Sequence, residues 1–230
     1  MVSERDRILE LKKYLTTLGV DVNIGKTKAR GNKGVFIGGA RGFRIDVSKT
    51  LPEDKILPVV VHEFAHFIHF NYDKSLEKLD FVFDEFTEDM QEELIGITVK
   101  DIPKEVAVSL YSQKEDLKSE IRILAEKIKT KYPKFKLSET YNPIAFFPNH
   151  SDYLILRGKQ RVLARVNSRI NKLNKYYNRV TELFARFCEM YFLNREEAEK
   201  LAPITCEKFS HAINNKCVKE LSELASIFNK

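Results

Sequence analysis

No apolar run in this chain approaches the ~20 residues that a membrane-spanning helix needs, so no such helix is expected. The opening stretch, MVSERDRILELKKYL, is charged and amphipathic and lacks the apolar core of a secretory signal, which points to a cytoplasmic protein. Cysteine is scarce. Cys188, Cys206 and Cys217 make an odd set of 3, all in the C-terminal part and none in a C-x-x-C pair. That argues against a disulfide framework and for a reducing compartment, with the three thiols read as small packing residues. Internal repeats and low-complexity linkers are also missing, so neither a solenoid nor a string of tethered modules is expected.

What is present suits a packed globular chain. Its 230 residues are 43% hydrophobic and 11% aromatic, enough for a substantial core. The net charge of +6 and pI near 9.0 permit contact with nucleic acid or acidic surfaces without requiring it.

Apolar positions Ile8, Leu11, Leu15 and Leu18 predict a helix over 3–18, closed by Gly19. Three β-like pieces follow at 20–24, 34–39 and 42–48, separated by glycine-containing turns, and predict a small antiparallel sheet. Thr50 to Glu53 reads as a capping box ahead of a helix that runs to about Phe70–Tyr72, with Pro58 as a possible start or kink. Helical periodicity then covers 74–95, about 104–131, and 155 to about 193, with a break near Asn171–Asn178; one or two further helices close the chain. The segment 138–153 is aromatic and loop-like. The fold class is therefore α+β, mostly helical.

Within the first long helix lies His62-Glu63-Phe64-Ala65-His66. Residues four apart share one helix face, so both imidazoles can reach a single cation. Glu63 lies ~100° further round, badly placed to chelate but well placed to hydrogen-bond a water beside the ion. Phe64, Ala65, Phe67 and Ile68 supply packing surface. The longer metzincin signature is excluded, because His69 and Tyr72 stand where it requires glycine and a third histidine. His69 is read as structural.

The HEFAHFIH stretch resembles the active-site helix of zincin metallopeptidases. The passage from Arg44 to His69 is similar in layout to the compact zincins of phages and mobile elements, including the ImmA/IrrE-like group. That resemblance implies one zincin-like domain over 1–230, with Zn2+ as cofactor, Glu63 as general base and a protein or peptide substrate. It also implies a peptide held extended beside the strand at 42–48.

A catalytic zinc needs a third protein ligand. Glu182, in VTELFARFCEMYF, resembles the third-ligand glutamate of the anthrax lethal factor family. It also stands alone beside an apolar stripe, where a carboxylate wants a partner. Glu85, followed four residues on by Asp89, resembles the second helix of gluzincins, but it is one of eight carboxylates in 74–95. Glu189 is a further candidate, as ligand or as support to one. We take the metal set as His62, His66 and Glu182, and attribute the long separation of the last two, 116 positions, to a helical insertion at 104–137. The resemblance makes Tyr176 and Tyr177 candidates to stabilise an oxyanion, with His150 a weaker one.

From Tyr153 to Thr181 there are eight basic residues and no acidic one. Arg161, Arg165 and Arg169 share a helix face and are a possible nucleic-acid contact; a solvated face is the plainer reading. No membrane partner is expected. The reading from the resemblance is a zinc-dependent metalloprotease; the alternative is a catalytically idle zincin-like module that binds nucleic acid or protein.

Overall fold

A computed structural model describes residues 3–25, 33–40, 42–101, 104–131 and 151–229. The chain divides into two compact units, Met1–Lys100 with Tyr177–Lys230, and Asp101–Tyr176. The α+β, mostly helical class holds.

In the first unit, α1 (Glu4–Thr17) starts at Ser3, whose hydroxyl accepts the Asp6 N–H, and buries Ile8, Leu11 and Leu15. Gly19, at φ 73°, takes the left-handed turn that a side chain would resist and passes the chain into β1 (Val20–Ile24). β2 (Gly34–Gly39) and β3 (Gly42–Val47) complete a sheet of order β1-β3-β2. β2 and β3 are antiparallel, as expected, but β1 runs parallel to β3, with Val22 opposite Ile45. The sheet is mixed rather than antiparallel. Alternating apolar residues decide which face of a strand is buried; they do not decide its neighbour or direction. By passing over β2 to pair with β3, β1 brings Val20 and Val22 into the core with Ile45 and Val47.

A 3-10 turn (Glu53–Lys55) leads into α2 (Ile56–Tyr72). Pro58 falls in the first turn, where its missing N–H has no intrahelical partner to lose. The capping box expected at Thr50 to Glu53 does not form. Thr50 N–H turns to Ser48 Oγ instead, and the N-cap of α2, Lys55, makes no side-chain cap. Leu57, Val60, Val61, Phe64, Ala65, Phe67 and Ile68 are all buried, because α2 is wrapped by α1, by β2 and β3, and by α6 (Val180–Leu193).

The helix expected over 74–95 begins only at Glu88, as α3 (Glu88–Asp101). Asp73 is the reason. Its carboxylate accepts the N–H groups of Ser75, Glu77 and Lys78 at 2.8–2.9 Å, and Leu76 follows at φ 60°. The side chain satisfies donors that would otherwise enter a helix ladder. Leu79, Val82 and Phe83 still reach the core, from an irregular segment.

Three short helices close the unit, where one or two were expected: α7 (Arg195–Leu201), α8 (Pro203–Asn214) and α9 (Lys219–Phe228). Asn194 ends α6 and caps α7. Pro203 starts α8, whose first N–H groups, those of Ile204 and Thr205, are taken by the Glu93 carboxylate at 3.1 and 2.9 Å.

The second unit is an antiparallel pair, α4 (Lys104–Lys131) and α5 (Ser151–Tyr177, its last residue counted in the first unit). Leu110 and Leu117 cluster with Val166 and Ile170 toward one end, Ile128 with Leu156 toward the other. The segment 104–137 read as an insertion falls in this unit, with 132–137 and His150 outside the described residues. Among the described residues, no helix is long and apolar enough to cross a membrane.

The contact between β2 and α2 depends on Gly34. A Cβ there would collide with Val59 Cγ1 and stand 3.0 Å from Glu63 Oε1. Gly34→Ala is expected to destabilise the fold by about 1–3 kcal/mol through overpacking, read as a lower urea midpoint at unchanged slope.

Candidate metal centre

The packing of α2 against α6 brings three polar side chains together inside an otherwise apolar contact. His62 and His66 project from one face of α2, their ring centroids 4.8 Å apart and their planes at 84°. Glu182, in the first turn of α6, is buried between them. Its Oε2 lies 3.5 Å from His62 Nε2 and its Oε1 3.4 Å from His66 Nε2. All three donor groups lie within 4.8 Å of one another. The histidines are partly exposed, so the group is open on one side.

These separations are long for N–H···O hydrogen bonds, and Glu182 Oε2 is buried with no hydrogen-bond partner. A buried orphan oxygen is costly unless a cation satisfies it. Donors at 2.0–2.1 Å from a tetrahedral zinc stand ~3.4 Å from each other, and two imidazoles with one carboxylate are a known catalytic zinc set. The residues present therefore fit a metal ion, and His62, His66 and Glu182 could hold one.

Glu189, two turns along α6, does not join the group. It stands behind it, with Oε2 3.3 Å from His62 Nδ1, the nitrogen turned away from Glu182. Such a carboxylate fixes the ring and its tautomer. Glu85 is exposed in the irregular segment before α3 and lies outside the group. His69, one turn beyond His66 on the same side of α2, is fully buried, its ring 5.3 Å from that of Phe81 and 5.8 Å from that of Phe184, and does not join the group. Tyr177 sits under the Arg186 guanidinium, 5.3 Å away, and Tyr176 is 40% exposed at the end of the second unit.

Glu63 points toward the sheet. Its Oε2 accepts the backbone N–H of Phe36 at 2.7 Å; among the described residues Oε1 has no hydrogen-bond partner. Lys33 C=O accepts Ser48 N–H, so the odd-numbered residues of β2 face β3 and residues 34, 36 and 38 face outward. β2 is an edge strand, unpaired on its outer side among the described residues, and lies against α2. The strand at 42–48, expected to lie beside a bound peptide, is the central one and is paired on both sides.

Charge follows this geometry. Burial alone would push the His62 imidazolium down, but Glu182 and Glu189, with Glu63 nearby, hold it up at about 9. Burial works against the charge of Glu182 as well, yet the two imidazoles keep its carboxyl well below the usual carboxylate range. Burial raises Glu63, against the pull of His62, His66 and the Phe36 N–H.

The contact of Glu63 with Phe36 was not legible in the sequence, whereas Glu189 stands in the supporting place that was one of its two expected roles. A backbone N–H carries no residue signature. Comparison with known protein families, curated proteins and solved structures finds no match to this chain.

With its pKa held at about 9, metal-free His62 carries a proton at neutral pH that a cation must displace. Uptake of a divalent ion near neutrality is expected to release about one proton per ion, and affinity to rise with pH until about 9. Calorimetric titration in buffers of different ionisation enthalpy measures both. The metal-free fold moves the other way. A raised histidine contributes stability that is complete below its ordinary 6.5 and is lost as pH rises through about 9. Glu189→Gln is expected to weaken binding of the ion by about 10–100-fold, and Glu182→Ala by more.

Proposed function

We propose that this chain is a zinc-dependent metallopeptidase acting on a protein or peptide substrate. The observation that carries the proposal is the Glu182 carboxylate, buried between His62 and His66 with an orphaned oxygen, with the second buried carboxylate, Glu63, next in sequence to His62. His62, His66 and Glu182 are the ligands. Zinc bound there supplies a Lewis acid that brings the pKa of a water toward ~7 and polarises a peptide carbonyl.

The remaining work falls to the chain itself. Phe36 N–H fixes Glu63 Oε2, which leaves Oε1 to take the proton of the attacking water. As the C–O bond forms, that proton passes to the departing nitrogen and the C–N bond breaks. The raised pKa of Glu63 is in the direction a base working near neutrality needs. Glu189 holds His62 with Nδ1 engaged and Nε2 turned to the ion. Phe36 N–H stays with Glu63, so an extended substrate is held by the other outward backbone groups of the β2 edge. Of the two tyrosines named as candidates, oxyanion stabilisation is assigned to Tyr177, which belongs to the same compact unit as the ligands. A zincin of phage or mobile-element type in a cytoplasmic setting completes the proposal; free Cys188, Cys206 and Cys217 support a reducing compartment.

The second reading is a zincin-like module that has the ligands and no activity. Such a module has no use for a base, and a buried carboxylate is costly. Glu63, buried and anchored to β2, favours the enzyme.

Glu63→Gln separates the two. The variant is expected to keep zinc, measured by elemental analysis, and to lose casein hydrolysis by at least about 10²-fold. Equal hydrolysis by both chains would remove Glu63 as base, and a wild-type chain that binds no zinc would remove the proposal.

A further inference from the structure

Positive charge is unevenly divided in this chain. Asp101–Tyr176 carries 16 Lys and Arg against 8 Asp and Glu, a net +8. The other unit carries 23 against 25, a net −2, so the whole excess of +6 belongs to the helical pair.

Within that pair the charge is concentrated on one face of α5. Its apolar stripe, Leu156, Leu163, Val166, Ile170 and Leu173, packs on α4. Lys159, beside the stripe, is paired with Glu120 at 2.6 Å. Arg157, Arg161, Arg165, Arg169, Lys172 and Lys175 lie on the opposite side and are all exposed. A helix rises ~1.5 Å per residue, so the row is ~27 Å long with a cation about every 5 Å. Arg157 bonds Gln160, and none of the other five makes an ion pair among the described residues. Carboxylates that might have neutralised the row are engaged elsewhere: Asp152 with Lys127, Glu115 with Lys118.

The geometry points to a binding surface for the phosphate backbone of a double-stranded nucleic acid, and we propose that α5 provides it. Duplex DNA presents a charge per ~1.7 Å of axis, so each member of the row can meet its own phosphate. Arginine predominates, with a planar fork that pairs two phosphate oxygens. Between residues 157 and 175 there is no aromatic residue to stack an unpaired base, which disfavours a single strand. An anionic membrane is disfavoured by the apolar face of α5: a helix lying in a bilayer interface needs that face free, and here it is packed on α4. Nothing in the row reads bases, so recognition is independent of sequence.

The test is fluorescence anisotropy of the full chain with a duplex of about 24 base pairs, between about 50 and 200 mM salt. The same sequence as single strand, the corresponding RNA duplex and phosphatidylserine vesicles serve as comparisons. Four to six phosphate contacts give a slope of about −3.5 to −5.5 in log affinity against log salt, and each single Arg→Ala is expected to reduce it by about 0.9. Reversing Arg161, Arg165 and Arg169 together to Glu should weaken the duplex by at least about 30-fold, while the triple Lys variant stays within about threefold. Circular dichroism and thermal unfolding of each variant report whether the chain still folds. Binding to either duplex with this pattern supports the proposal. Duplex affinity unchanged by the Arg→Ala series, tighter binding to the single strand, or binding to vesicles alone would overturn it.

Discussion

The burial of one carboxylate between two imidazoles organises this molecule. Glu182 can be dry only because His62 and His66 face it across the α2–α6 contact, and those two helices can pack only if the three polar groups satisfy one another or share a cation. The apolar part of the contact holds the rest in place. Phe184 and Phe187 of α6 are almost wholly excluded from water, and so are Phe64 and Phe67 on the other side of α2, packed on Tyr14, Phe36 and Phe43. Such packing does not yield by small amounts, so the spacing of the three donors is set by the core.

Around that contact, each neighbouring element controls one atom. α6 brings Glu189 to the outer nitrogen of His62. β2 brings Phe36 N–H to one oxygen of Glu63. Gly34 lets the strand come that close. The sheet, small as it is, does more for the candidate site than for the bulk of the core.

Much of this was legible in the sequence where a short-range rule applied. The i, i+4 pair His62 and His66, the stripe beside Glu182 and the strand segments at 20–24, 34–39 and 42–47 follow from periodicities of 3.6 and 2. What was missed follows from interactions that those periods do not encode. The direction of β1 is chosen by the core it completes. The segment after α2 has helical spacing, but the Asp73 side chain captures its N–H groups. Pro58 left a start and a kink both open, and its place within the first turn, two residues after the start, decides for the first. The charge row on α5 was visible as residues, yet its isolation from carboxylates needed α4 in view.

The hydrogen bond from Phe36 to Glu63 has a consequence for solubility. An unpaired sheet edge is a template onto which a second copy can add its own strand. β2, with Val35, Phe36 and Ile37 in sequence, is the kind of segment that invites such addition. Here its central outward N–H is already occupied by a buried anion, and an incoming strand would have to evict that anion before the ladder could grow. The contact that aims the carboxylate also makes this edge a poor seed for aggregation.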